Sequence, residues 1–161
     1  MRRSLKNACF FALVALVAVG CATAQDGKRA GCTPPPRELQ VKDIERGQGE
    51  DARFRSAVLV HYTGWVYDGC AKDFKGEMFD TSSARNMPIS VMVGVGRVIK
   101  GWDEGLVGMK EGGKRLLVIP PDKAYGERSP TPKIPPNATL VFETELVKVI
   151  GQAPAPQPAR P

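Results

Sequence analysis

The fold turns on V-I-K-G-W-D-E-G-L-V-G-M, residues 98–109. Ile99, Trp102 and Leu106 stand at i, i+3 and i+7, one stripe of a helix. Asp103 and Glu104 fall on its other side toward the N-terminal end, where carboxylates suit the helix dipole. Gly108 is placed to stop it. Two or three turns are too few to persist alone in water, and Gly101 and Gly105 each weaken a helix by about 1 kcal/mol relative to Ala. A helix this short and this weak has to be enclosed. The sequence on both sides reads as strand, so the expected fold is α+β: a curved antiparallel sheet, half a barrel, wrapped around one short α-helix with the indole of Trp102 at one end.

Working outward, residues 57–65 are the clearest period-two strand, with Val58, Val60 and Tyr62 alternating against Leu59, His61 and Thr63. Gly64 ends its regular part. Residues 66–77 are polar with turn pairs at Asp68-Gly69 and Lys75-Gly76 and read as a surface excursion carrying Cys70 at its tip. Met78-Phe79-Asp80 returns to the sheet and residues 89–93 form another strand. After the helix, Gly112-Gly113 turns into a strand over 114–119, stopped by Pro120-Pro121. A long loop, 122–139, precedes a closing strand over 140–150. Leu39, Val41 and Ile44 open the sheet.

The ends are of another kind. Arg2, Arg3 and Lys6 precede an apolar run of about 13 residues, short of the roughly 20 that cross a bilayer, which marks a signal peptide. Two cleavage patterns fit. A signal over 1–24 ends in Ala22-Thr23-Ala24 and releases a soluble protein; a lipoprotein signal over 1–20 leaves Cys21 to be lipidated. Either sends the chain out of the cytoplasm, to the periplasm in soluble form or to the outer membrane through the lipid on Cys21. Residues 25–36 are a proline-rich leader and 151–161 a Pro/Ala-rich tail, which leaves 37–150 as the domain. With so short a leader there is no room for a helical dimerisation arm, and a monomer is expected.

The formal charge of +6 shrinks once the signal is removed: the 20 remaining basic residues face 17 acidic ones, for +3, and the two signs are intermixed. This excludes a nucleic-acid footprint. With one histidine and no Cys-x-x-Cys, a metal site is not expected.

Five pieces in order, V-H-Y-T-G at 60–64, F-D-T-S at 79–82, V-I-K-G-W at 98–102, A-Y-G at 124–126 and I-P-P-N-A-T-L-V-F at 134–142, resemble the FKBP-type peptidyl-prolyl cis/trans isomerases, the immunophilins that bind rapamycin and tacrolimus. The resemblance covers essentially the whole expected domain and implies the same half-barrel. Carried over position by position, it implies a pocket of Tyr62, Phe79, Asp80, Val98, Ile99, Trp102, Tyr125, Ile134 and Phe142, with Trp102 as its floor, Arg85 packed behind Asp80, and the Ile99 N–H as donor to a substrate carbonyl. Phe79, Asp80 and Tyr125 would be the catalytic set. The sequence departs from the family pattern at Ile89, where an aromatic is common, at Arg97, where an acid is common, at Pro130 and at Lys133. These rim positions bear on substrate preference, and Arg97 with Lys133 would favour acidic flanking residues.

The implied chemistry needs no cofactor. Rotation about an Xaa-Pro bond meets a barrier of roughly 18–20 kcal/mol because twisting destroys amide resonance. The twisted amide is less polar than the planar one, and a dry aromatic cleft favours it. The implied partners are proline-containing peptides, unfolded exported proteins and macrolides of the rapamycin and tacrolimus type, with no nucleic acid and no membrane contact beyond a lipid on Cys21. The alternative is an FKBP-like module that holds proline-containing chains without isomerising them.

Two cysteines, Cys32 and Cys70, survive signal removal, and in an oxidising compartment they are expected to pair, pinning the leader to the excursion beside the cleft mouth.

Overall fold

The computed structural model describes residues 31–152. The signal and its cleavage sites, Cys21, the start of the leader and the tail from 153 onward lie outside the described residues. Six strands, β1 (Gln40–Glu45), β2 (Ser56–Tyr67), β3 (Lys75–Thr81), β4 (Ile89–Met92), β5 (Lys114–Ile119) and β6 (Leu140–Gln152), form one antiparallel sheet in the order β1-β5-β6-β2-β3. β3 and β4 share one edge of β2: β4 pairs with Ala57, Val58, Leu59 and Val60, and β3 with Thr63 through Tyr67. Register shifts between β2 and β6 at Ala57/Val58 and Leu59/Val60 mark irregularities of the kind that bend a sheet.

The alternation of β2, β5 and β6 sorts the sheet into two faces. Val58, Val60, Leu117, Ile119, Leu140, Phe142 and Leu146 point to the face that holds the helix and build the main core with Trp102, Leu106 and Met109. Leu116, Val118 and Val141 point the other way and form a smaller cluster with Trp65, Tyr67 and Phe74. β6 extends through Gly151 and Gln152, which pair with Ala57 and Ser56, two residues past the expected end of the domain.

The helix, α1, spans only Lys100–Gly105, shorter than the Ile99-to-Leu106 stripe with its stop at Gly108 suggests, with Ile99 as its N-cap. Its glycines have one cause, close approach to the sheet. A Cβ at Gly101 would press on the side chain of Ile119, and one at Gly105 on that of Leu117. The helix propensity given up at these positions allows the backbone to lie directly on β5. Past the helix, Gly108 has φ +74 and donates its N–H to the Ala52 carbonyl at 2.8 Å, a left-handed reversal that a glycine accommodates.

Arg115, a buried charge on β5, was not singled out by sequence. Its guanidinium donates to the carbonyls of Gly105 (2.7 Å) and Val107 (3.1 Å) and to the Asp43 carboxylate (2.6 Å). It thus satisfies carbonyls at the end of the helix and ties the edge strand β1 to it.

Residues 66–77 correct the sequence reading. The surface excursion is narrower than that and is confined to residues 68–74, with Cys70 in it as expected: β2 runs through Gly64 to Tyr67 and β3 begins at Lys75, so the two strands form a long hairpin of which it is the tip. Tyr67 and Phe74 stack at 5.2 Å between centroids, and the Lys75 ammonium sits 4.7 Å from the Trp65 ring centroid. The disulfide joins Cys32 to Cys70 with a Cα separation of 4.6 Å. Beside it Thr33 donates its N–H to Gly69 (3.0 Å), and the Tyr67 hydroxyl lies 3.1 and 3.2 Å from the carbonyls of Thr33 and Pro34. The bridge therefore pins the leader to the hairpin, as expected, beside the Tyr67 and Phe74 rings, and neither cysteine is among the residues that line the cleft.

Candidate functional site

Where the sheet curls past the helix it leaves a cleft of about 670 Å3, within the usual size range of small-molecule and peptide pockets. β2 contributes Tyr62, β3 Phe79 and Asp80, β4 Ile89 and β6 Phe142. The loop before the helix contributes Gly96, Arg97, Val98 and Ile99, the helix Lys100 and Trp102, and the segment after β5 Ala124 and Tyr125.

The aromatic rings hold one another edge to face. Trp102 meets Tyr62 at 5.2 Å and Phe142 at 5.3 Å between centroids, with interplanar angles of 78° and 84°, and Phe79 meets Phe142 at 5.5 Å and 84°. Such pairs add about 0.5–1.5 kcal/mol each beyond area burial and fix the rings. Gly64 makes this possible: a Cβ there would lie 2.5 Å from the Phe79 ring and 2.8 Å from that of Phe142. Trp102 is 4 % exposed, and its indole N–H has no acceptor among the described residues.

Polar groups sit at the edges. The Tyr62 hydroxyl donates to the Asp80 carboxylate, and Asp80 also accepts the Thr81 N–H at 2.8 Å. Burial first, and then the hydrogen bond and negative charge of Asp80, push the Tyr62 hydroxyl up to about 12, so it remains a donor at neutral pH. The backbone of Tyr62 is fixed separately by buried Ser82, whose Oγ accepts its N–H at 2.9 Å and lies 3.0 Å from His61 Nδ1. Tyr125, 37 % exposed, is also shifted upward, by burial and then by Asp80.

The wall formed by residues 94–99 is held by a residue whose role its position on the helix concealed. Asp103 is half-buried and engaged: one carboxylate oxygen accepts the N–H of Gly94 at 2.8 Å and the other that of Gly96 at 2.7 Å. Both glycines have positive φ, +78 and +74. The Ile99 carbonyl meanwhile accepts the N–H groups of Trp102 and Asp103, whereas the Ile99 N–H has no acceptor among the described residues. Glu104, beside Asp103, pairs instead with Lys123.

Of the eleven pocket positions expected from sequence, nine line the cleft: Tyr62, Phe79, Asp80, Ile89, Val98, Ile99, Trp102, Tyr125 and Phe142. Two do not. Ile134 is 3 % exposed and packs in the main core, where it anchors the loop that Asn137 N–H closes onto the Gly126 carbonyl at 2.7 Å. Arg85 ends a single 3-10 turn, Ser83–Arg85, capped by left-handed Asn86; it is exposed and takes no part in the ion pairs among the described residues. Asp80 accepts from Tyr62 and Thr81; Arg85 makes no ion pair with it among the described residues and reaches the pair only through its charge, which opposes part of the rise at the Tyr62 hydroxyl. Lys100 and Ala124 are lining residues that sequence did not indicate.

The arrangement can hold an apolar ring against Trp102 and offer a neutral hydroxyl and a backbone N–H to flanking carbonyls. Comparisons agree with that chemistry. The sequence model described as FKBP-type peptidyl-prolyl cis-trans isomerase matches residues 49–147. The chain is 49% identical over 111 residues to the FK506-binding protein of Neisseria meningitidis serogroup A, covering 69% of this chain and 95% of that one. It is 43% identical over 136 residues to the human peptidyl-prolyl cis-trans isomerase FKBP2, covering 84% and 87%. The crystal structure of AtFKBP13 superposes with a TM-score of 0.58 at 36% identity, covering 74% of this chain and 96% of that one. A half-barrel around one short helix, an aromatic cleft built on its tryptophan and matches that span the domain lead to one assignment: the chain belongs to the FKBP-type peptidyl-prolyl cis-trans isomerase family.

Proposed function

We propose that the protein isomerises Xaa-Pro bonds in exported proteins and that the cleft around Trp102 is where it does so. The observation that carries this reading is the pairing of an apolar floor with two unengaged donors. The proline ring would rest against Trp102, Phe79 and Phe142. The Tyr125 hydroxyl and the Ile99 N–H, neither of which has an acceptor among the described residues, would hold the carbonyls on either side of the rotating bond. Held at both ends, the peptide rotates as a unimolecular system.

No bond is broken, so the acceleration has to come from binding the twisted amide better than the planar one. The twisted form has lost its charge-separated resonance contribution and is favoured where water is excluded. About 5–7 kcal/mol of differential binding corresponds to roughly 10⁴- to 10⁵-fold in rate. Asp80 keeps Tyr62 in place and adds a negative potential at the cleft edge; it transfers no proton in this scheme. Macrolides of the rapamycin and tacrolimus class would occupy the same floor.

The basic residues and short apolar run at the N-terminus support a site of action in the cell envelope, in soluble form after cleavage near Ala24 or anchored by a lipid on Cys21, and the scheme asks for neither a second copy of the chain nor a cofactor. Turnover of a short Xaa-Pro peptide, abolished by a stoichiometric macrolide, tests the reading. Peptide binding without turnover would favour the non-catalytic module instead.

A further inference from the structure

We propose that the preferred substrates carry an acidic residue within two positions of the proline, selected by Arg97 and Lys100. The proposal rests on the isomerase reading of the cleft and adds to it a chemical class of substrate.

Both cations line the cleft, both are exposed, and neither has an ion-pair partner among the described residues. They flank Val98 and Ile99, so a peptide whose carbonyl reaches the Ile99 N–H passes beside them. The carboxylates near them are already engaged. Glu104 is paired with Lys123, Asp103 is turned onto the N–H groups of Gly94 and Gly96, and Asp80, the one acid in the lining, takes the Tyr62 hydroxyl and the Thr81 N–H. The lining thus presents two available cations on one wall and a single, hydrogen-bonded carboxylate from β3. Lys133, which sequence grouped with Arg97, is not part of the lining; Lys100 takes its place.

Exposed charges at this range are partly screened, so the preference should be modest and salt-sensitive. Matched peptides with Glu, Gln or Lys at each of the two positions before and after the proline provide the test. At low ionic strength the best-placed Glu peptide should exceed its Lys counterpart in kcat/KM by about three- to tenfold, and the ratio should fall toward one in about 0.5 M salt. In Arg97→Gln/Lys100→Gln the ratio should collapse, and in the double charge reversal Arg97→Glu/Lys100→Glu it should invert. A ratio of one at every position, or a preference that survives both substitutions, would overturn the proposal. Equilibrium binding of the same labelled peptides separates the two levels. Tighter binding of Glu peptides with no turnover would leave charge selection standing and remove the isomerase reading, whereas turnover without charge dependence would do the reverse.

Discussion

The hydroxyl of Tyr62 donates to the carboxylate of Asp80, so β2 and β3 are tied by side chains at the edge of the cleft as well as by backbone pairing. Because the fold raises the Tyr62 hydroxyl from 10.0 to about 12, it favours the neutral phenol. The corresponding stability is fully present below the unfolded value and is lost as pH rises from about 10 to about 12. An ultraviolet titration should show a tyrosine ionising near the top of that window, and Tyr62→Phe should remove that step. Ionisation of Tyr62 at its ordinary value would refute the assigned geometry.

Gly64→Ala and Gly101→Ala should both destabilise the protein. For Gly101, helix propensity favours Ala by about 1 kcal/mol, but the added methyl meets buried Ile119, and overpacking costs about 1–3 kcal/mol. Packing should win. Gly64→Ala should in addition lower kcat/KM, because the methyl displaces Phe79 and Phe142. Urea midpoints check the first claim and peptide turnover the second; a rise in midpoint for Gly101→Ala would contradict the close helix-to-sheet approach.

Asp103→Ala removes the acceptor for the N–H groups of Gly94 and Gly96 and should release the wall that carries Val98 and Ile99. The expected stability loss is about 1–3 kcal/mol, with KM rising more than kcat falls. Asp103→Asn, which keeps an acceptor, should recover part of the loss. Equal effects of the two substitutions on KM would argue that the carboxylate does not shape the cleft.

Reduction of the Cys32–Cys70 bridge opens a link between residues 38 apart in sequence and should cost about 4 kcal/mol on the chain-entropy estimate. The purified mature protein should resist alkylation until reductant is added. Denaturation curves with and without reductant measure the cost. Since the bridge lies with the Tyr67 and Phe74 cluster, peptide turnover under native conditions should change far less than the urea midpoint. A parallel collapse of turnover would place the bridge in the catalytic machinery.

Much of the site was legible because its residues lie on strongly patterned elements. Val58, Val60 and Tyr62 announce a strand with one buried face, and Trp102 and Leu106 a helix stripe. What escaped depends on contacts distant in sequence. Arg115 reads as one cation among many until the fold brings it to the carbonyls of Gly105 and Val107. Asp103 reads as a carboxylate suited to the helix dipole until the positive-φ glycines before the helix turn their N–H groups toward it. The hairpin over 66–77 was hidden by its polar residues, although the alternation of Trp65 and Tyr67 continues the strand pattern past Gly64. Ile134 sits in a motif that reads as pocket, yet its side chain was free to serve the core, and nothing local distinguishes the two fates. Arg85 depends on the turn capped by Asn86, whose left-handed backbone no periodicity reports.

The central claim is that the aromatic cleft itself isomerises the Xaa-Pro bond. The most direct measurement is the cis/trans exchange rate of a short Xaa-Pro peptide by NMR, at catalytic concentrations of the mature protein and of Phe79→Ala, with the fold of the variant verified by circular dichroism. The account predicts that the protein accelerates exchange many-fold and that folded Phe79→Ala loses at least about tenfold of kcat/KM, a change equivalent to about 1.4 kcal/mol in transition-state binding. Undiminished exchange in folded Phe79→Ala, or no acceleration by the unaltered protein, would contradict it.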